Sequence, residues 1–191
     1  TTDIYTLSLH DALPISPATT RLDWSPGEHH NHAMYYLHCT KKLLDRIKPT
    51  PLTADASTTQ LGNWYATALF SRPQLALLVN EQTLLPVLLP LAPAATLTDR
   101  FPQQLAQILT AQGIAETFIE TEMALMQEVS HAKTSNRSVL GIMNQFAYQI
   151  ESQTDREDLL ALSLKLSKTP CGPLYKGAVF PDKALKELVL R

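Results

Sequence analysis

The chain has 191 residues, 45% of them hydrophobic and 18% charged, with a formal net charge of -2. That is apolar material enough for one domain with a buried core, and the charge gives no general pull toward nucleic acid or anionic membrane. Pro86 and Pro90 break the longest apolar run far below the ~20 residues of a membrane helix, and two cysteines, Cys39 and Cys171, are too few for a disulfide framework. The expectation is a soluble, cytoplasmic protein with no membrane partner.

Residues 1–33 show no sustained period. Ser-Leu-His-Asp-Ala-Leu-Pro-Ile-Ser, from Ser8 to Ser16, resembles the translated sequencing adapter that survives at the ends of assembled metagenomic fragments. Met34 opens directly onto the apolar Tyr35-Tyr36-Leu37. Residues 1–33 are therefore expected to be a non-native, disordered extension, and residues 34–191 a single domain with 151–191 as its C-terminal extension. Setting the extension aside removes Arg21, Asp3, Asp11, Asp23 and Glu28, so the remainder is close to neutral.

A first strand is expected at residues 35–39. Thr40 then caps a short helix over 41–47, whose Leu43, Leu44 and Ile47 turn inward. Residues 48–62 carry Pro49 and Pro51 among small polar residues and read as a surface loop. Residues 63–90 hold the clearest pattern: three apolar runs separated by Ser71-Arg72-Pro73-Gln74 and Asn80-Glu81-Gln82-Thr83, a tight antiparallel meander. Pro86 cannot donate to a ladder, which places the last of these strands at an edge or on a bulge. The second and third runs are apolar at nearly every position and require cover on both faces.

After Pro90, Leu97, Phe101, Leu105, Ile108 and Leu109 keep a helical spacing, with Pro102 in the opening turn and Gly113 just past the end. A second helix over 115–126 buries Ile119, Met123 and Met126 and leaves Glu116 and Glu120 in water. Residues 128–133 read as a strand. Val139, Met143, Phe146, Ala147 and Ile150 then mark one face of a helix over 137–152. Leu160, Leu162, Leu164 and Leu166 alternate with other residues, which predicts a strand over 160–167, and residues 182–190 form a terminal amphipathic helix. The fold class is α+β: a mostly antiparallel sheet packed by three or four helices.

Four segments, taken in order, carry a family resemblance: Leu-His-Cys-Thr-Lys-Lys-Leu-Leu at 37–44, Asn-Trp-Tyr-Ala at 63–66, the Leu78–Pro90 run with its Asn-Glu-Gln-Thr turn, and Asn-Arg-Ser-Val-Leu-Gly-Ile-Met-Asn at 136–144. Together they resemble an uncharacterised bacterial domain of unknown function over residues 34–150. The resemblance implies a shared mixed fold. It carries no substrate, cofactor or catalytic residue, and the tail after Glu151 looks like an extension found in only some members.

Among polar constellations, Ser135, Asn136, Arg137 and Ser138 stand out. Small polar side chains, free N–H groups at a helix start and a guanidinium can together hold a phosphate or carboxylate. The plain alternative is that Ser135 or Asn136 caps the helix. Asn144 follows Arg137 by two turns on the same side and could add a donor; Lys41, Lys42 and Arg72 could extend a basic surface. Trp64 and Tyr65 alternate across the sheet, one in the core and one partly exposed, so they make no stacking platform. His38, Cys39, His131 and Cys171 lack metal-ligand spacing, and the glutamates at 116, 120, 122 and 128 read as a solvated face. Gly172-Pro-Leu-Tyr-Lys-Gly177 has Ala178 where a phosphate loop needs lysine.

No catalytic residue, metal ligand or cofactor is assigned. The expected role is a non-catalytic binding module that offers the Ser135–Ser138 helix start to an anionic group on a protein or nucleic-acid partner. The alternative is a small metal-independent enzyme, a toxin-like ribonuclease or a transferase, using Arg137, Asn144 and His131 or Lys41. A third expectation is a homo-oligomer formed through the edge of the fourth strand.

Overall fold

In the computed structural model, residues 33–49, 57–153 and 158–190 are described. The readings of residues 1–32 as an extension and of 50–56 as a loop lie outside them. Five strands form one sheet: β1 Met34–Cys39, β2 Trp64–Leu69, β3 Leu75–Asn80, β4 Pro86–Pro90 and β5 Glu128–Lys133, in the spatial order β4-β3-β2-β1-β5. The meander forms as expected, with β2, β3 and β4 antiparallel in sequence. β1, however, runs parallel to both β2 and β5. The sheet is therefore mixed rather than mostly antiparallel. The helix α1, Lys41–Ile47, carries the chain back between β1 and β2, and such a crossover delivers a parallel neighbour where a hairpin cannot.

Alternation along the strands builds two cores. On one face Tyr35, Leu37 and Cys39 of β1, and Trp64, Ala66 and Ala68 of β2, pack beneath α1, α2 (Leu97–Ala111) and α3 (Glu116–Leu125). On the other, Tyr65, Leu69, Leu75, Leu77 and Val79 pack beneath α4, Arg137–Glu151. Trp64 and Tyr65 do point to opposite faces. Both are buried, because helices cover the sheet on each side.

Pro102 sits in the second turn of α2 rather than its first. Its missing N–H frees the carbonyl of Thr98, which accepts instead from the Tyr35 hydroxyl at 3.4 Å, tying helix to sheet.

The segment at 160–167 is not a strand. It is the helix α5, Leu159–Leu166, opened by Asp158, whose carboxylate accepts from the N–H of Ala161 at 2.8 Å. Leu162 and Leu166 enter one core while Leu160 and Leu164 pack against the other. The helix straddles the rim of the sheet, so it needs leucine all round. Ser163 Oγ accepts from the outward N–H of Leu88 at 3.0 Å, which covers the outer edge of β4. That hydrogen bond occupies the Leu88 N–H, a donor that an oligomer paired through this edge would use. The final helix, α6, spans Pro181–Val189 and buries Leu185.

Candidate functional site

Two parallel neighbours, β1 and β5, send the chain to opposite faces. β1 leaves through Thr40 into α1 on the first core, and β5 leaves through residues 134–136 into α4 on the second. A crevice opens outside the carboxyl ends of strands at such a switch, which is where α/β sheets hold ligands.

The start of α4 is organised by Glu81, in the turn between β3 and β4. Its carboxylate accepts from Asn63 Nδ2 at 3.0 Å, the Tyr65 hydroxyl at 3.2 Å and Asn136 Nδ2 at 3.1 Å. Asn136 Oδ1 in turn accepts from the backbone N–H groups of Ser138 and Val139, at 3.0 and 3.3 Å. Ser135 Oγ lies 3.5 Å from the Tyr65 hydroxyl. Burial pushes that hydroxyl's pKa up, the Ser135 contact opposes the shift, and the Glu81 carboxylate adds to it. The turn is thus exposed at Ser135, Arg137 and Ser138, yet its helix-start N–H groups are already capped and its favourable anion is the protein's own Glu81.

The turn carrying Glu81 is itself anchored by the buried Asn80. Its Oδ1 accepts from the N–H groups of Gln82 and Thr83 and from Thr83 Oγ1, while Nδ2 donates to the carbonyls of Leu61 and Asn63. Asn63 and the Asn-Glu-Gln-Thr turn, far apart in sequence, are therefore one hydrogen-bonded unit.

Two turns further along α4 lies a cleft of about 450 Å³ between α1 and the second half of α4, floored by the carboxyl end of β2. Lys42, Thr67, Phe70, Ser71, Asn144 and Glu151 contribute to its walls. Thr40 does not cap α1 with its side chain; its hydroxyl donates to Thr67 Oγ1 at 2.9 Å, so the floor of the cleft is tied to the end of β1. Phe70 is 50% exposed, with the Arg46 guanidinium 5.3 Å from its ring centroid.

Of the residues singled out by sequence, Asn144 lines this cleft, and Arg72 follows its Ser71 in the β2–β3 turn. Lys41 is exposed at the start of α1, but its neighbour Lys42 is the lysine that reaches the cleft. Arg137 lies about 10 Å along the helix from Asn144, on the same exposed side. The Ser135–Ser138 turn and Arg72 therefore stand toward opposite ends of α4 and do not form one site. Alternation places His131 on the face of Leu37, its partner in the register, across the sheet from α4; burial lowers its pKa. Sequence reasoning passed over Glu81, Phe70 and Arg46. Nothing local marks them, since their importance comes from strands and helices meeting in space.

The metal-like quartet also separates. Cys39 is buried in the first core and Cys171 in the second, with burial pushing the thiols up to about 12 and about 11. His38 stacks on Tyr65 with centroids 4.6 Å apart, and its Nδ1 lies 3.2 Å from the carbonyl of Lys133. A carbonyl only accepts, so Nδ1 carries the proton. Among the described residues, the buried His38 Nε2 has no hydrogen-bond partner.

A family model described as a domain of unknown function, DUF6933, matches residues 36–184. The chain belongs to this family. The DUF6933 span begins within β1, takes in every later strand and runs through α5 into α6, beyond residue 150 where the sequence resemblance ended. Neither the curated proteins nor the solved structures contain a match. Among the described residues, no helix is long and apolar enough to cross a membrane.

Proposed function

We propose that this domain is a non-catalytic binding module whose site is the cleft between α1 and α4, and that it takes a small anionic ligand. The single observation that carries this reading is the convergence of Lys42, Thr67, Ser71 and Asn144, with the Glu151 carboxylate at the end of α4, on one concave space of about 450 Å³. Its size suits a small molecule. Lys42 supplies the charge that an anion requires, Asn144 and the hydroxyls supply directional hydrogen bonds, and Arg72 and Arg137 add positive potential on either side. The helix start at Ser135–Ser138 then serves as scaffold and steering charge, with Glu81 and Asn136 fixing the position of α4.

Titration calorimetry of the full chain with inorganic pyrophosphate tests this. Saturable binding is expected, weakened about tenfold by Lys42→Ala and by Asn144→Ala through loss of charge-assisted and neutral hydrogen bonds. Arg137→Ala is expected to have a smaller effect that fades with added salt. Pyrophosphate binding that ignores both cleft substitutions would remove the site.

A further inference from the structure

The anion-binding reading leaves Phe70 without a role. The residue directly follows β2, lines the cleft and stays 50% exposed. An exposed phenyl forgoes the burial free energy that its area offers. This one is also held in place: the Arg46 guanidinium stands 5.3 Å from the ring centroid, within cation–π range. Tyr148 is a second aromatic on the adjoining surface. It lies one helical turn beyond Asn144 and one turn before Glu151, and it is 76% exposed. A polar cleft with a lysine, an asparagine and a pinned, half-bare aromatic ring offers three kinds of contact at once. Charge, hydrogen bonding and ring stacking are all available within one cleft.

Resting on the anion-cleft reading, we infer that the ligand is a mononucleotide, its base stacked on Phe70 and its phosphate directed to Lys42. A sugar phosphate would use the lysine and the hydroxyls but leave the phenyl bare. A purely aromatic ligand would make no use of the lysine. A nucleotide has a π face for Phe70, sugar hydroxyls for Asn144 and Thr67, and an anion for Lys42. Every base carries a π face, so the geometry selects the class and not one base. The volume of about 450 Å³ falls within the range of sites for ligands of this size. Arg46 keeps the ring oriented before the ligand arrives, which lowers the ordering cost of stacking.

The test compares adenosine monophosphate, ribose phosphate and a short uridylate strand by calorimetry on the full chain. Adenosine monophosphate is expected to bind about tenfold more tightly than ribose phosphate, the increment typical of one base–aromatic stack. Phe70→Ala and Phe70→Leu should erase that advantage, and Lys42→Ala should weaken both ligands. Because Phe70 is half outside the fold, an unchanged melting temperature is expected for both Phe70 variants. Equal affinity for adenosine monophosphate and ribose phosphate would overturn the nucleotide assignment and leave the anion cleft standing. No binding of either would overturn both readings. A preference of about tenfold or more for the uridylate strand over the mononucleotide would replace a mononucleotide site with a strand-binding one.

Discussion

A carboxyl group enclosed by protein persists only if its oxygens find donors, and Glu122 finds two. It projects from α3 with no exposed surface and accepts from the N–H of Gln60 at 2.7 Å and of Leu61 at 3.3 Å. Periodicity had placed it on a solvated face with its neighbours. It is instead the pin that holds residues 57–62 before β2, and only the folded path of that loop reveals the need for it. Desolvation raises its pKa, with the two N–H contacts opposing the shift. A raised folded pKa means that protonation favours the fold. The stability linked to Glu122 is fully present below the ordinary carboxylate range and is lost as pH rises through the raised value. Denaturation followed across that window should show the decline in the native chain and a flatter profile in Glu122→Gln. Glu122→Ala orphans both N–H groups and should cost about 2–3 kcal/mol. A native pH profile matched by Glu122→Gln would assign the pH dependence to other groups.

Elements that face a single core were legible in the sequence, and those that face two were not. The period of α4 is plain because Val139, Met143, Phe146 and Ile150 serve one core, and the meander is plain because its turns carry Asn and Pro. α5 serves both cores from the rim of the sheet, so its leucines surround the helix and imitate strand alternation. Its one local signal is Asp158 as a cap. The parallel pairing of β1 was equally hidden, since alternation is the same in either direction. Covering β4 with a helix rather than a sixth strand has a measurable consequence. Ser163→Ala removes the acceptor for the N–H of Leu88, and a loss of about 1–3 kcal/mol is expected, with faster hydrogen exchange at the Leu88 amide. An unaltered Leu88 exchange rate would mean that α5 does not seal that edge in solution.

At the scale of the molecule, the mixed sheet lies between two cores of different origin. The first is built from β1 to α3, close together in sequence. The second needs α4 and then the tail, which sends Leu162, Leu166 and Cys171 into it and returns Leu185 to the first. The candidate cleft depends on this arrangement, because α4 can wall it only while its inner face is packed. The tail is therefore expected to be integral to folding rather than an appendage to a domain complete at residue 150. Each buried leucine is worth about 1.5–3 kcal/mol, against a total stability of about 5–15 kcal/mol for a typical domain. Removing residues 158–191 strips those side chains and uncovers the N–H of Leu88 together. The shortened chain should lose its cooperative thermal transition, read by circular dichroism, and its pyrophosphate binding with it. A truncated chain that melts sharply near the full-length temperature would show that both cores close without the tail, and that α4 holds its place over β2 by its own contacts alone.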